Sequence, residues 1–137
     1  MKINAYLNFN GQCEEAFKVY QTVLGGKIEN IVRYDEMPES GDVSPETAKH
    51  IMHILLAVGD NILMGSDAPA PYFHKAQGMT VCINTDTTDE AERLFAALSE
   101  KAESVTLPIG ETSWAQRFAM FVDRFGTPWM INCSKST

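Results

Sequence analysis

Apolar and polar residues alternate from Ile3 to Phe9, which predicts a β-strand with one apolar face. A helix should cover that face, and the next segment has apolar residues at three- and four-residue spacings. Gly25-Gly26 ends this predicted helix, because glycine takes the left-handed C-terminal conformation at little steric cost. The apolar residues of the helix are Cys13, Ala16, Phe17, Tyr20, Val23 and Leu24.

Three further strands complete the first half of the chain. The apolar run from His50 to Val58 meets Gly59-Asp60-Asn61, a sequence typical of a tight hairpin turn. The segment Asp35–Lys49 holds two prolines, a glycine and five acidic residues, and it is predicted to be a surface loop. The predicted order is therefore β-α-β-β-β, with strands at Ile3–Phe9, Lys27–Tyr34, His50–Val58 and Ile62–Ser66.

The same order of elements begins again after an irregular segment, Ala68–Gly78, which we interpret as a linker. Thr87 to Glu90 forms a capping-box signature, and Ala91, Leu94 and Leu98 continue it as a helical apolar stripe. The predicted strands of this half are Met79–Asn84, Ser104–Leu107, Phe118–Asp123 and Trp129–Cys133.

The two halves align with each other at nearly constant offsets. An offset of 75 places Glu15 on Glu90, and an offset of 67 places Gly59 on Gly126 and Ile62 on Trp129. Such repeats usually indicate a duplicated supersecondary unit. The alternative is a chance likeness between two amphipathic helices. We therefore predict one domain, 1–137, built from a first module at 1–67, a linker at 68–78 and a second module at 79–137.

The charge and cysteine content narrow the class of protein. The chain has 11 Lys and Arg residues and 18 Asp and Glu residues. The resulting net charge of −7 disfavours nucleic acid and anionic membrane surfaces as partners. No apolar run approaches the roughly 20 residues of a membrane span, and the first residues lack a signal peptide's apolar core. Cys13, Cys82 and Cys133 form no CxxC pair, which is typical of reduced thiols. We expect a cytoplasmic protein.

Three blocks of sequence carry a resemblance to a known family. They are Tyr6–Gly11 with Cys13–Phe17, Val19-Tyr20 and Leu24–Gly26; Gly59–Asp67; and Trp114–Phe118 with Asp123–Asn132. In these blocks the chain resembles the PhnB-like group of the vicinal oxygen chelate superfamily, which includes glyoxalase I, bleomycin-resistance proteins and extradiol dioxygenases. The resemblance covers essentially the whole chain, and the last block is its most specific part.

The resemblance implies an α+β fold of two tandem βαβββ modules. In the superfamily these form a curved, cup-shaped mixed sheet with the helices outside, and the cup holds the ligand. Members usually pair as homodimers, so we expect a homodimer here. Alternation on the first strand then leaves Asn4, Tyr6 and Asn8 facing inward, a poor set for a core because buried amides need partners. The alternative is that this face meets solvent or a partner chain.

Metal-dependent members place His or Glu at equivalent points on the first and last strand of each module. Such a site needs imidazole and carboxylate donors that converge on the ion. The matching positions here are Asn4 or Tyr6, Leu63 or Met64, Gly78 or Met79, and Met130. None is a His, Glu or Asp, so we expect no cofactor and disfavour a divalent metal. A metal site built from His53, Asp67 and perhaps His74 is the alternative.

Several polar and aromatic residues remain as candidates for a ligand site. His53 is either a pocket acid, base or hydrogen-bond donor, or a core histidine. Asp67 precedes Ala68-Pro69 and is either a turn residue or a general base. The aromatic residues suit a mostly apolar pocket, although Phe118 and Trp129 are equally typical of a core. The predicted substrate-binding residues are Tyr6, Asn8, His53, Met64, Ser66, Asp67, Tyr72, Trp114, Phe118 and Trp129.

The sequence thus predicts a protein that binds a small organic molecule in its cup without a metal. The alternatives are a metal-dependent lyase, isomerase or dioxygenase with unusual ligands, and a non-enzymatic drug-sequestering protein. The group also carries a ubiquinone-methyltransferase label, which we reject because no glycine-rich strand-to-helix loop is present to hold an adenosyl cofactor. Catalytic residues and substrate are not assigned.

Overall fold

The computed structural model describes residues 1–38 and 43–135, which include all but four residues of the predicted loop Asp35–Lys49. The chain divides into two compact units, Met1–Lys75 and Ala76–Thr137. Neither of the two α-helices in the described ranges is long and apolar enough to cross a membrane.

The first unit is a four-stranded mixed sheet with one α-helix. The parallel pair joins β1 to β4, and the other pairs are antiparallel, so the strand order is β1-β4-β3-β2. The helix ends at Gly25, whose φ of 75° is the left-handed conformation expected of the glycine pair. The elements are β1 Ala5–Phe9, α1 Cys13–Leu24, β2 Lys27–Arg33, β3 Ile51–Val58 and β4 Asn61–Asp67.

The second unit repeats this topology, with strand order β5-β8-β7-β6. Its parallel pair joins β5 to β8. The elements are β5 Val81–Asn84, α2 Thr88–Leu98, β6 Ser104–Gly110, β7 Ala115–Val122 and β8 Pro128–Ser134. The predicted α+β fold of two tandem βαβββ modules is confirmed.

In the first unit, α1 packs against one face of the sheet. A Cβ at Gly65 would lie 2.7 Å from Cε1 of Phe17, so the absence of a side chain at Gly65 lets the helix approach closely. Phe17 also meets the rings of Phe9 and Tyr20 edge to face. Ile54 is fully buried in the same unit. This face is the core of the unit.

In the second unit, α2 covers the corresponding face of its own sheet. The ring of Phe95 meets that of Phe121 edge to face at 5.5 Å, and Phe121 pairs with Trp129 across β7 and β8. Trp129 and Ile131 are buried, as is Leu94 of the helix.

Four details of the prediction are wrong. The first strand begins at Ala5, so Ile3 lies before it and is 90% exposed; Met79 likewise precedes β5 and is 82% exposed. β7 begins at Ala115, three residues before the predicted start. The offset that places Ile62 on Trp129 is shifted by one residue, because the turn between β7 and β8 is longer than that between β3 and β4.

The register gives the correct alignment of the last strands. Leu63 pairs with Ala5 of β1, just as Trp129 pairs with Val81 of β5, so Leu63 is the counterpart of Trp129. A one-residue shift matters in a strand because it moves each side chain to the opposite face of the sheet.

Candidate functional site

Each sheet has one face that turns away from its own helix. In the first unit Gly65 faces Phe17 of α1, so its neighbours Met64 and Ser66 point the other way, since successive strand residues alternate. Cross-strand pairing extends this face to all four strands. We call it the first open face; it consists of Tyr6, Met64, Leu55 and Asn30 in one row and Asn8, Ser66, His53 and Val32 in the next.

Polar side chains meet each other on the first open face. The hydroxyl of Tyr6 lies 3.2 Å from Nδ1 of His53, and the two rings stack with centroids 5.8 Å apart. The Ser66 hydroxyl donates to Oδ1 of Asn8 over 3.5 Å. Four of the ten predicted site residues, from three different strands, are therefore brought together, and Met64 lies beside Tyr6.

The contact with Tyr6 determines what His53 can offer a ligand. If Nδ1 accepts the hydroxyl proton of Tyr6, the neutral ring carries its own proton on Nε2 and donates there. If Nδ1 holds the proton and donates to the Tyr6 oxygen, Nε2 is an acceptor or a base. Nε2 of His53 can thus present either a donor or an acceptor to a ligand, depending on which of the two ring nitrogens carries the proton.

Asp67 lies on the other side of the sheet. Its carboxylate is 2% exposed; Oδ1 accepts from the backbone N–H groups of Gly11 and Cys13, at 2.8 and 3.0 Å, and Oδ2 accepts from that of Ile51 at 2.9 Å. These three donors are distant in sequence, so Asp67 ties the start of α1 to β3 and does not act as a local turn residue; the structure also gives no support to a general base. Burial, and secondly the charge of Asp67, raise the pKa of the Cys13 thiol, which stays protonated at neutral pH.

The second sheet has a matching face, which the register defines completely. We call it the second open face; it consists of Cys82, Met130, Met120 and Leu107 in one row and Asn84, Asn132, Phe118 and Gly110 in the next. Row by row these positions correspond to those of the first open face. Met130 occupies the place of Met64, Asn84 that of Asn8, and Phe118 that of His53.

The predicted aromatic residues separate into two groups. Phe118 is on the second open face, 8% exposed, and the ring of Trp114 meets it edge to face at 5.3 Å while remaining 58% exposed. Trp129 is on the helix side, 1% exposed, and its Nε1 donates to Oδ2 of Asp123 over 2.8 Å. Placing Trp129 in a ligand site is therefore wrong, because it is a core residue. Tyr72 is 74% exposed in a 3₁₀ turn.

The donors on the open faces do not suit a divalent metal. The structure places Leu63 on the side of the sheet that faces α1, and Gly78 and Met79 lie before β5. The open-face positions of the first and last strands of each unit are therefore Tyr6, Asn8, Met64, Ser66, Cys82, Asn84, Met130 and Asn132. These include no imidazole and no carboxylate. Within residues 1–38 and 43–135, no three His, Cys, Asp or Glu side chains are grouped to hold an ion, so His53, Asp67 and His74 do not form the alternative site.

Sequence reasoning missed the amides and thioethers of the second open face. Asn84, Asn132 and Met120 were not among the predicted site residues, although the duplication pointed to them. The signal was the repeat itself, but the offset of 75 puts Asn8 on Ile83 and the offset of 67 puts Ser66 on Cys133, each one residue away from the alignment in the structure. With the correct register, Asn84 follows directly from Asn8.

Comparison with known proteins identifies the family. The family model described as 3-demethylubiquinone-9 3-methyltransferase matches residues 1–132. Protein YjdN of Escherichia coli (strain K12) is 31% identical, over 98% of this chain and 97% of its own length. Protein PA1353 from Pseudomonas aeruginosa has a crystal structure that is 42% identical and covers 99% of both chains, with a TM-score of 0.90.

More distant solved structures share the fold. A PhnB protein from Bacillus cereus is 21% identical over 98% of this chain and 100% of its own, with a TM-score of 0.82. Structures from the glyoxalase, bleomycin-resistance and dioxygenase superfamily also share the fold. The family-model match over residues 1–132 and the 31% identity to protein YjdN show that the chain belongs to the family whose model bears the 3-demethylubiquinone-9 3-methyltransferase description, the PhnB-like family of the predicted resemblance.

Proposed function

We propose that this protein binds a small organic molecule on its first open face and that it does so without a divalent metal. The observation that carries the proposal is the convergence of Tyr6, His53, Asn8 and Ser66 on one face of one sheet. Ligand sites combine a few placed polar groups with an apolar lining. Here the polar groups lie beside the apolar side chains of Met64 and Leu55.

The chemistry of the face supports hydrogen bonding more than charge recognition. Phenol, imidazole, amide and hydroxyl groups can each donate or accept a hydrogen bond. The nearby guanidinium of Arg33 is engaged elsewhere, because it makes a two-pronged ion pair with Glu14 of α1. A ligand would therefore be oriented by Tyr6 and His53 and packed against the thioether of Met64.

The family description does not by itself make this chain a methyltransferase. The loops that lead from strand to helix are 10–12 and 85–87, and they contain one glycine, Gly11. A pyrophosphate or adenosyl cofactor is held in other folds by a glycine-rich loop at this point. We propose binding as the function and assign no catalytic residue.

The metal part of the proposal is tested by elemental analysis of the purified, tag-free protein beside a thermal-shift screen of divalent ions. We expect less than about a tenth of an equivalent of metal and no shift in melting temperature, because a bound ion must stabilise by mass action. Stoichiometric zinc, iron, nickel or manganese would contradict the proposal and favour the metal-dependent enzyme.

The binding part is tested by screening neutral fragments by NMR and following the His53 ring signals. For fragments that shift them, Tyr6→Phe should weaken binding by about tenfold, the value of one hydrogen bond. Thr22→Val is the matched control, since it removes an exposed hydroxyl on α1 that bonds to the carbonyl of Lys18. Fragments that bind equally well to the wild type and to Tyr6→Phe and His53→Phe variants would overturn the assignment of this face.

We also propose that two copies of the chain associate, as the resemblance implies. The edge strands support this, since Ile31 on β2 and Val105 and Leu107 on β6 are large apolar residues that are partly exposed. Light scattering at micromolar concentration should give twice the monomer mass. A monomer mass would contradict the proposal.

A further inference from the structure

The amide of Asn132 has one buried atom that bonds to nothing in the described part of the chain. Its Nδ2 donates to Oδ1 of Asn84 over 3.2 Å and to the hydroxyl of Ser134 over 3.1 Å. Its Oδ1 is buried and has no hydrogen-bond partner among residues 1–38 and 43–135. Buried polar atoms are nearly always satisfied, so an unsatisfied amide acceptor calls for a donor from outside the chain.

Several of the side chains next to Asn132 are apolar. Phe118 lies directly opposite Asn132 on β7, and Met130 is two residues away on the same face of β8. Met120 pairs with Met130, which puts two thioethers side by side. Thioethers adapt to ring-shaped ligands and contact their edges favourably.

The second open face has no Asp, Glu, Lys or Arg side chain, although these residues make up 21% of the chain. The one ionisable group is the thiol of Cys82, whose pKa is raised by burial. Burying a charged ligand here would cost free energy, since no opposite charge is available to pair with it.

We infer that the second open face is a binding site for an uncharged small molecule that donates an N–H or O–H hydrogen bond to Oδ1 of Asn132. The apolar part of the molecule contacts Phe118 and the thioethers of Met120 and Met130. This inference concerns the second unit alone and rests on residues other than those that carry the proposed function, so either can be wrong without the other.

The test uses four probes of one shape. Benzamide is neutral and donates, methyl benzoate is neutral and does not donate, benzoate is an anion, and benzamidine is a cation. We expect benzamide to shift the side-chain amide signals of Asn132 in ¹H–¹⁵N spectra, with a Kd of about 1–10 mM, ordinary for a fragment of this size. Methyl benzoate should bind about five- to tenfold more weakly because it lacks the donor, and the two ions at least about tenfold more weakly.

A substitution at Asn132 that should change which probe binds most tightly gives a stricter test. Asn132→Asp keeps the shape of the side chain but provides a carboxylate, so the cation benzamidine should gain a charge-assisted hydrogen bond and bind more tightly than benzamide. Asn61→Asp is the matched control: it makes the same chemical change at an exposed residue, the first of β4, and it should leave the preference for benzamide intact.

Three outcomes would overturn the inference. Benzamide at saturating concentration could leave the Asn132 signals unchanged in a folded protein, or it could shift only the signals of Tyr6 and His53. The third is an order of affinities that is the same in the wild type and in the Asn132→Asp variant, which would show that Oδ1 of Asn132 does not select the ligand.

Discussion

The two helices begin at corresponding places in the two units, but the backbone N–H groups of their first turns find hydrogen-bond acceptors in different ways. At α2 the cap is local: Oγ1 of Thr87 accepts from the N–H of Glu90. At α1 the corresponding residue, Gln12, makes no side-chain cap bond, and Oδ1 of Asp67 accepts from the N–H of Cys13 instead. Asp67 is 54 residues away, at the end of β4.

This difference shows how a duplicated unit can keep its fold while changing what holds it together. A local cap stabilises the helix whether or not the sheet has formed, since donor and acceptor are three residues apart. The carboxylate of Asp67 also binds the N–H of Ile51, so it ties α1 to β3 and β4 and acts only when all three are in place. The first unit is thus expected to depend more on single tertiary contacts than the second.

The strongest test of the comparison is Asp67→Ala. It leaves the N–H groups of Gly11, Cys13 and Ile51 without their acceptor, and we expect a loss of about 3–5 kcal/mol in the free energy of unfolding. Urea unfolding followed by circular dichroism measures it. Asp67→Asn retains one oxygen acceptor and should lose about half as much. A loss no larger than that caused by Thr87→Ala would refute the distinction.

Gly65→Ala tests the close packing of α1 on its sheet. The new Cβ would lie 2.7 and 2.9 Å from two carbons of the Phe17 ring, so helix or sheet must shift, at about 2–3 kcal/mol in unfolding free energy. The counterpart of Gly65 in the second unit is Ile131, one residue after Met130, so the close approach belongs to the first unit alone. Gly110→Ala is the control, because its nearest neighbour would be 4.0 Å away. Equal stability of the two variants would contradict the packing argument.

Trp129→Phe examines a tertiary contact that exists only in the second unit. It removes the indole N–H that Asp123 accepts and leaves a small cavity, and we expect a loss of about 2 kcal/mol in unfolding stability. Trp114→Phe, at a residue 58% exposed, should change stability by no more than about 0.5 kcal/mol. The reverse order, with the larger loss at Trp114, would mean that our division of the two tryptophans is incorrect.

Thr87→Ala measures the local cap directly. Loss of the bond to the N–H of Glu90 should lower the unfolding free energy by about 1 kcal/mol. Gln12→Ala, at the corresponding position of α1, should have a smaller effect since its side chain makes no cap bond there. Chemical denaturation of both variants under one condition decides the matter, and similar losses would remove the contrast between the two helix starts.

The smallest expected effect is that of Arg33→Gln, which breaks the ion pair between β2 and α1. Its hydrogen bonds lower the pKa of Glu14 below the ordinary value of 4.5, so the pair stabilises the folded state above that pH and the contribution is lost as the pH falls through the folded pKa. The pair is partly exposed, so we expect about 0.5 kcal/mol at neutral pH. Wild type and variant should converge once the pH has fallen below the folded pKa of Glu14; a difference that stays constant from neutral to acidic pH would exclude the pair as its source.

Much of the candidate site followed from strand alternation. In the first unit the predicted strands agree with the register in the structure, which places five of the predicted site residues on one face: Tyr6, Asn8, His53, Met64 and Ser66. Asn132 was missed because the offset of 67 aligns it with Gly65, whereas the structure aligns it with Ser66, and a turn of different length cannot be aligned from sequence alone. Trp129 was a site candidate because of its aromatic ring, and the alternative that it is a core residue agrees with its burial in the structure.

The sequence by itself determined the order of the elements, the duplication and the family, because these depend on periodicities and turn residues that act over a few positions. It also determined the cap at Thr87, where the partners are three residues apart. Only the tertiary structure decided the role of Asp67, the contact between Tyr6 and His53 and the unpaired oxygen of Asn132. Each of these depends on which distant backbone or side-chain groups come within hydrogen-bond distance, and a local pattern does not specify that distance.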